Sequence, residues 1–208
     1  MHDATLTTLD KRIIRVSKEL FLSKGIMKTE MKEIAKLVGV SRSTLYRHFP
    51  QALDIAFYIA EDVLRYWMAI DYAIPGNLSG YERFSLYMHK FLEKMWNNLN
   101  TVQFINEFDT LYNLKYSTAN PPAQYVDYLS NQEDMDFFQV FRTGIQDGSI
   151  RREYDELITP RSFVFTAISM TKHIMLREEN YLSEHGFSRE FIFQSIDLML
   201  TSIKADQK

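Results

Sequence analysis

The sequence predicts an all-α protein: an N-terminal head of three short helices in residues 1–50 and a larger helical body in residues 51–208, about nine helices in total. Three observations carry that expectation. Apolar residues recur at three- and four-residue steps through almost every segment. Gly, Pro, Asn and Asp clusters punctuate the chain at helix-length intervals. No alternating strand pattern and no βαβ alternation is present. With 208 residues, 46% of them hydrophobic, there is material for a sizeable core.

In the head, Leu9, Ile13, Val16, Leu20 and Phe21 form the stripe of a first helix, with Lys11, Arg12, Arg15 and Lys18 among them. Gly25 follows Lys24 as a C-terminal cap. Thr29 offers a hydroxyl as N-cap for a second helix through Met31, Ile34, Ala35 and Leu37-Val38, although Lys32 stands where a full capping box needs Glu or Gln. Gly39 ends that helix, Ser41 caps a third that closes near Phe49, and Pro50 precedes a fourth. The fourth helix, 51–73, is apolar round most of its circumference, as suits a buried helix or a connector between packed units. Pro75-Gly76-Asn77 breaks it. Helices are expected over about 80–98 and 102–116, then a long one from Pro122 to about Gln146. After the turn Asp147-Gly148-Ser149, helices near 159–181 and 188–204 close the chain, separated by His185-Gly186.

Composition narrows the function classes. The absence of cysteine excludes disulfides, thiol catalysis and cysteine metal sites, and it fits a reducing cytoplasm. There is no signal-peptide pattern and no uninterrupted apolar run of membrane-spanning length, so a cytoplasmic protein with no membrane partner is expected. There is no Gly-rich phosphate loop, nucleophile motif or metal-spaced cluster; His2, His48, His89, His173 and His185 are widely scattered. The reading is therefore not an enzyme, with no metal and no cofactor. Net charge is −3, but it is unevenly spread. Residues 1–50 hold ten Lys/Arg against five Asp/Glu; the rest hold fourteen against twenty-two. A basic head on an acidic body steers one end toward a polyanion, unless the asymmetry is chance.

The chemistry sits in Met31–Leu37, the turn Val38-Gly39-Val40 and the short helix Ser41–His48. Helix, Gly-containing turn and second helix make a helix-turn-helix pattern. Arg42, Ser43 and Thr44 stand at the N-terminal end of the second helix, where such helices reach base edges. Leu45 and Phe49, four apart, anchor its other face, and Tyr46, Arg47 and His48 carry donors suited to phosphate oxygens. The run from Gly25 to Phe49 resembles the DNA-binding domain of the TetR family of transcriptional regulators at Gly25, Thr29, Ile34-Ala35, Gly39-Val40-Ser41, Thr44-Leu45-Tyr46 and His48-Phe49. The body adds one weak local echo, Gly144–Arg151. The resemblance implies phosphate contacts from Thr29, Ser41, Tyr46 and His48, and groove-facing roles for Arg42, Ser43, Thr44 and Arg47. Two positions depart from the family pattern. Ser43 stands where Gly is common, and Gln51-Ala52 stand where the family usually places a phosphate-binding Lys. Losing that contact would lower the salt slope of DNA binding by about one unit.

The body is rich in aromatic and Met residues. Core packing is the plainer reading for most of them. The resemblance adds a small-molecule effector held between body helices, which aromatic and Met walls would suit if it is aromatic or lipophilic. Candidates are Phe91, Met95, Phe104, Asn106, Phe108, Tyr112, Phe137, Gln139, Phe141 and His173. The last helix has apolar residues on two faces, and the resemblance implies a two-fold dimer through the final helices, with Phe163, Ala167, Ile174, Phe187, Phe191, Ile196 and Met199 as candidates. The expected function is a ligand-responsive repressor that binds a palindromic double-stranded DNA operator as a homodimer. The alternative is a TetR-like protein-binding co-activator that has lost specific DNA binding.

Overall fold

The computed structural model describes residues 6–70, 77–116, 118–131 and 136–206. Eleven helices run through them: α1 (Thr8–Lys24), α2 (Met31–Val38), α3 (Arg42–His48), α4 (Ala52–Met68), α5 (Gly80–Trp96), α6 (Leu99–Leu114), α7 (Ala123–Ser130), α8 (Asp136–Gln146), α9 (Ile158–Met175), α10 (Glu178–His185) and α11 (Arg189–Ile203). Among the described residues the β pairing amounts to an isolated antiparallel bridge, Ile150 to Lys204. The protein is all-α. Eleven helices replace the expected nine because two long helices are each divided. α7 buries Tyr125 and Tyr128, and α8 buries Phe137, Phe138 and Phe141. The two sets belong to different compact units, so the chain leaves the helix at Asn131 between them. α9 stops at Met175, and α10, which buries no side chain, starts after Arg177, whose φ of −130° lies outside the helical range. The expected last turn of the fourth helix, 71–73, and the break at Pro75-Gly76 lie outside the described residues.

The chain divides into two compact units, Met1–Tyr66 with Asn100–Ser130, and Trp67–Leu99 with Asn131–Lys208. In the first, a capping box between Thr7 and Asp10 starts α1, which buries Ile13, Ser17 and Phe21. α2 buries Ile34, Ala35 and Val38, whereas Leu37, read as part of that stripe, is exposed. Thr29 does not cap α2. The helix starts after Glu30, and the Thr29 hydroxyl donates to the Gly25 carbonyl at 2.7 Å. The tight turn leaves that carbonyl without a helical partner, and a buried oxygen in need of a donor takes the hydroxyl instead. Gly39 ends α2 in the left-handed conformation at φ 77°, where a Cβ would be strained. α4 begins where the Gln51 N–H donates to Asp54 Oδ2 at 2.9 Å, and it buries Leu53, Ile55, Ala56, Phe57, Ile59, Ala60 and Val63. α6 adds Phe104 and Phe108, stacked against Phe21 and edge-on to Phe57 respectively.

In the second unit, α5 and α8 meet backbone to backbone. A Cβ on Gly80 would lie 2.1 Å from the Gly144 nitrogen. The segment Gly144–Arg151 then turns back to cap α5. Asp147 Oδ2 accepts the Gly80 N–H at 2.7 Å and Ser149 Oγ accepts the Tyr81 N–H at 2.9 Å. Those are first-turn donors with no helical partner of their own. Phe84 packs at 5.0–5.1 Å from the rings of Phe137, Phe141 and Phe163. α11 buries Ile192, Ile196, Leu200 and Ile203. Among the described residues no helix is long and apolar enough to cross a membrane.

Candidate nucleic-acid interface

α3 is short, and its two faces differ sharply. Leu45 is fully buried and Phe49 nearly so. Ser41, Arg42, Ser43, Tyr46 and Arg47 are exposed, and Thr44 is half-buried. The spacing explains this: 42, 43, 46 and 47 share one side of a 3.6-residue helix and 45 and 49 the other. Ser41 caps the helix by accepting the Thr44 N–H at 3.1 Å, and its hydroxyl lies 2.9 Å from those of Ser43 and Thr44. Ser43 thus joins a chain of hydroxyls at the exposed start of the helix. The face offers two guanidiniums, a phenol and three hydroxyls, all capable of donating to base edges or phosphate oxygens.

Three contacts hold α3 and the turns on either side of the helix-turn-helix, each between residues distant in sequence. First, His48 at the end of α3 donates from Nδ1 to Asp10 Oδ1 at 2.7 Å. Burial acts to raise the Asp10 pKa, but the hydroxyl and N–H of Thr7 and the His48 ring outweigh it and hold the carboxyl below its ordinary value. His48 is therefore half-buried and committed through Nδ1. Second, Glu107 of α6 reaches the α1–α2 turn. Its Oε2 accepts the Ile26 N–H at 2.6 Å and the Met27 N–H at 3.3 Å. Gly25 is needed there: its φ is +94°, and a Cβ would sit 2.5 Å from Glu107 Oε1. Third, Lys115, just past α6, donates from Nζ to Gln51 Oε1 at 2.9 Å. An ammonium thus stands at the start of α4 although Gln51-Ala52 carries none. Thr29, in contrast, is buried with its hydroxyl turned to Gly25.

The candidate effector residues fall into both units. Phe104, Asn106, Phe108 and Tyr112 belong to the first; Phe91, Met95, Phe137, Gln139, Phe141 and His173 belong to the second. The phenylalanines and Met95 are buried, Asn106 and Tyr112 are half-buried, and Gln139 and His173 are exposed, His173 standing edge-on to Tyr181. In the first unit Phe57 gathers Phe108, Tyr112 and Tyr125 at 5.1–5.3 Å. One turn further along α4 lies Glu61, which sequence reasoning missed; it was legible as an acid on the buried i, i+4 stripe Leu53-Phe57-Glu61. Of the pairing candidates, Phe163, Ala167, Ile174 and Ile196 are buried within the second unit, Met199 is half-buried, and Phe187 and Phe191 are exposed. The outer faces of α9 and α11 instead carry Ile158, Phe165 and Leu198, each more than 60% exposed.

Residues 13–51 match the family described as bacterial regulatory proteins, tetR family. An HTH-type transcriptional regulator of Staphylococcus aureus is 37% identical over 51 residues, which are 24% of this chain and 28% of that protein. The chain thus matches little more than a quarter of that relative's length. Solved structures are similar over nearly the whole chain. A tetR family transcription regulator from Shewanella sp. PV-4 has a TM-score of 0.56 at 17% identity, covering 96% of this chain and 100% of its own. FadR from Bacillus subtilis, in complex with stearoyl-CoA, has a TM-score of 0.62 at 17% identity, covering 93% and 98%. A transcriptional regulator from Saccharomonospora viridis, in complex with choline, has a TM-score of 0.57 at 17% identity, covering 95% and 98%. Residues 13–51 thus carry the helix-turn-helix of the tetR family, and the described helices share the fold of these solved regulators.

Proposed function

We propose that this protein is a cytoplasmic, ligand-responsive repressor that binds a palindromic DNA operator as a homodimer and leaves it when a small effector binds. Residues 1–50 would hold the DNA and 51–208 the effector and the partner subunit. The observation that carries this reading is the outward face of α3, with Arg42, Ser43, Tyr46 and Arg47 exposed over the buried anchors Leu45 and Phe49. A helix so anchored can enter the major groove polar side first. Ser41 flanks it as a phosphate donor with Thr44 beside it, His48 stands at the other end fixed by Asp10, and Thr29 acts from behind by closing the turn. Lys115 supplies the cation that Gln51-Ala52 lacks, which favours DNA binding over a co-activator that has lost it.

A seven-residue helix spans only a few base pairs, so two copies must read two half-sites. The apolar outer faces of α9 and α11, with Ile158, Phe165 and Leu198, suit pairing with a second copy. The neighbours that hold stearoyl-CoA and choline support an effector in the body. The route from effector to DNA would run along α6. Phe108 faces the aromatic cluster on α4, while the preceding Glu107 holds the α1–α2 turn. Effector and operator then lower each other's affinity by the same factor. The test is a gel-shift or polarisation titration. Arg42→Ala and Tyr46→Ala each abolish specific binding while helicity and oligomeric state are kept. Unchanged binding by both variants refutes the assignment.

A further inference from the structure

Glu61 lies in the middle of α4 and is only 3% exposed. Its Oε1 accepts from Arg65 Nε at 2.8 Å. Its Oε2 is sealed from solvent and has no hydrogen-bond partner among the described residues. Facing it from α7 is Tyr128, also buried, whose hydroxyl likewise has no partner among the described residues. The Arg65 guanidinium lies over the Tyr128 ring at 4.3 Å, which ties the two orphaned groups into one cluster. Buried polar atoms are almost always satisfied, so two orphans in one cluster mark a place where a polar partner gains most. Burial pushes the Tyr128 pKa up to about 12, helped by the nearby Glu61 and opposed by Arg65, so the phenol keeps its proton and can donate or accept.

The surroundings define what that guest is. Phe57, four residues before Glu61 on the same face of α4, holds the edge-on rings of Phe108 and Tyr112 and the tilted ring of Tyr125. Arg65, which balances Glu61, is 54% exposed, so water screens it, whereas the free carboxylate oxygen lies in the low-dielectric interior. A donor carrying positive charge gains most at that oxygen, and aromatic faces favour the same charge.

Resting on the effector reading above, we infer that Glu61 and Tyr128 form the polar anchor of the effector site, and that the effector is a lipophilic organic cation with at least one N–H. Its ammonium donates to Glu61 Oε2, and its apolar body lies against Phe57 and the α6–α7 rings. All of these side chains belong to the first compact unit, the one that also contains α3.

The probe is 4-phenylbutylamine, titrated by calorimetry into the full-length protein without DNA, with 4-phenyl-1-butanol as its uncharged counterpart. The amine is expected to bind at least about tenfold more tightly than the alcohol, and E61Q to weaken the amine about ten- to a hundredfold while leaving the alcohol unchanged. Y128F weakens the amine about two- to tenfold. E61Q keeps an acceptor for Arg65 and relieves a half-satisfied buried charge, so its Tm stays level or rises; a purely structural Glu61–Arg65 pair would instead lose Tm. Equal binding of amine and alcohol to the wild-type protein overturns the proposal without any variant, and so does E61Q binding the amine as tightly as wild type. Operator binding is read separately. If the amine binds through Glu61 but leaves DNA affinity constant, the anchor stands and the effector reading fails. If an uncharged or anionic lipid releases DNA while the amine does not bind, the effector reading stands and the anchor fails.

Discussion

Glu107→Ala removes the acceptor that α6 extends to the α1–α2 turn, and its cost can be worked from the contacts. The Ile26 N–H lies 2.6 Å from the carboxylate on a residue only 2% exposed, so no water replaces the lost acceptor. Leaving a buried donor unsatisfied costs about 1–3 kcal/mol. The Met27 bond is longer, at 3.3 Å, and Met27 is 68% exposed, so water compensates it and it adds little. The expected loss is about 2 kcal/mol, or a Tm lower by about 4–8 °C for a chain of this size. Glu107→Gln keeps an oxygen in place without the charge and should lose about half as much. Both tryptophans, Trp67 and Trp96, lie in the second unit, so their fluorescence does not follow this site. The assay is hydrogen exchange at the Ile26 amide with far-UV circular dichroism, followed by operator titration. Gly25→Ala provides the cross-check. Its Cβ would collide with Glu107 at 2.5 Å and also force an L residue to φ +94°. In the Glu107→Ala background only the backbone cost of about 1–2 kcal/mol remains. Unchanged Ile26 exchange and unchanged operator affinity in Glu107→Ala would refute the claim that α6 holds the head.

Three further outcomes can be checked independently. The Asp10 carboxyl is held below its ordinary value near 3.8, so its contribution is complete above about pH 4 and is lost as pH falls through the depressed value. Asp10→Asn should therefore flatten the acid limb of stability below pH 4 and cost about 1–2 kcal/mol at neutral pH; an identical acid limb contradicts the Asp10–His48 link. Lys115→Gln should reduce the slope of log affinity against log salt by about one unit at constant helicity; an unchanged slope removes Lys115 from the DNA contact. Gly80→Ala should cost about 3 kcal/mol or more, seen by tryptophan fluorescence, because its Cβ would lie 2.1 Å from backbone, whereas Gly148→Ala meets nothing within 4 Å and pays only the left-handed strain of about 1–2 kcal/mol.

The parts of this molecule that were legible in sequence are those whose causes are local. Ser41 capping α3, Gly39 closing α2 and the stripe of α5 all follow from residues within a few positions of one another. The class of fold and the exposed face of α3 came from the same patterns. What local pattern misjudged depends on partners far away. Thr29 looks like a cap until the Gly25 carbonyl is seen to need its proton. The missing cation beside Gln51 arrives from Lys115, sixty-four residues on. Phe163 and Ile196 read as surplus apolar positions, but they fill the core of their own unit, and the free face lies at Phe165 and Leu198. Glu61 is one acid in an apolar run, and it is its burial in the fold that sets it apart from a solvated side chain.

Selection of bound sites from random double-stranded DNA by the full-length protein tests the central claim most directly. The account predicts enrichment of one inverted repeat, with half-sites about one helical turn or a multiple apart, that is lost with Arg42→Ala. Enrichment of no sequence, or of the same sequence by wild type and Arg42→Ala alike, would contradict it.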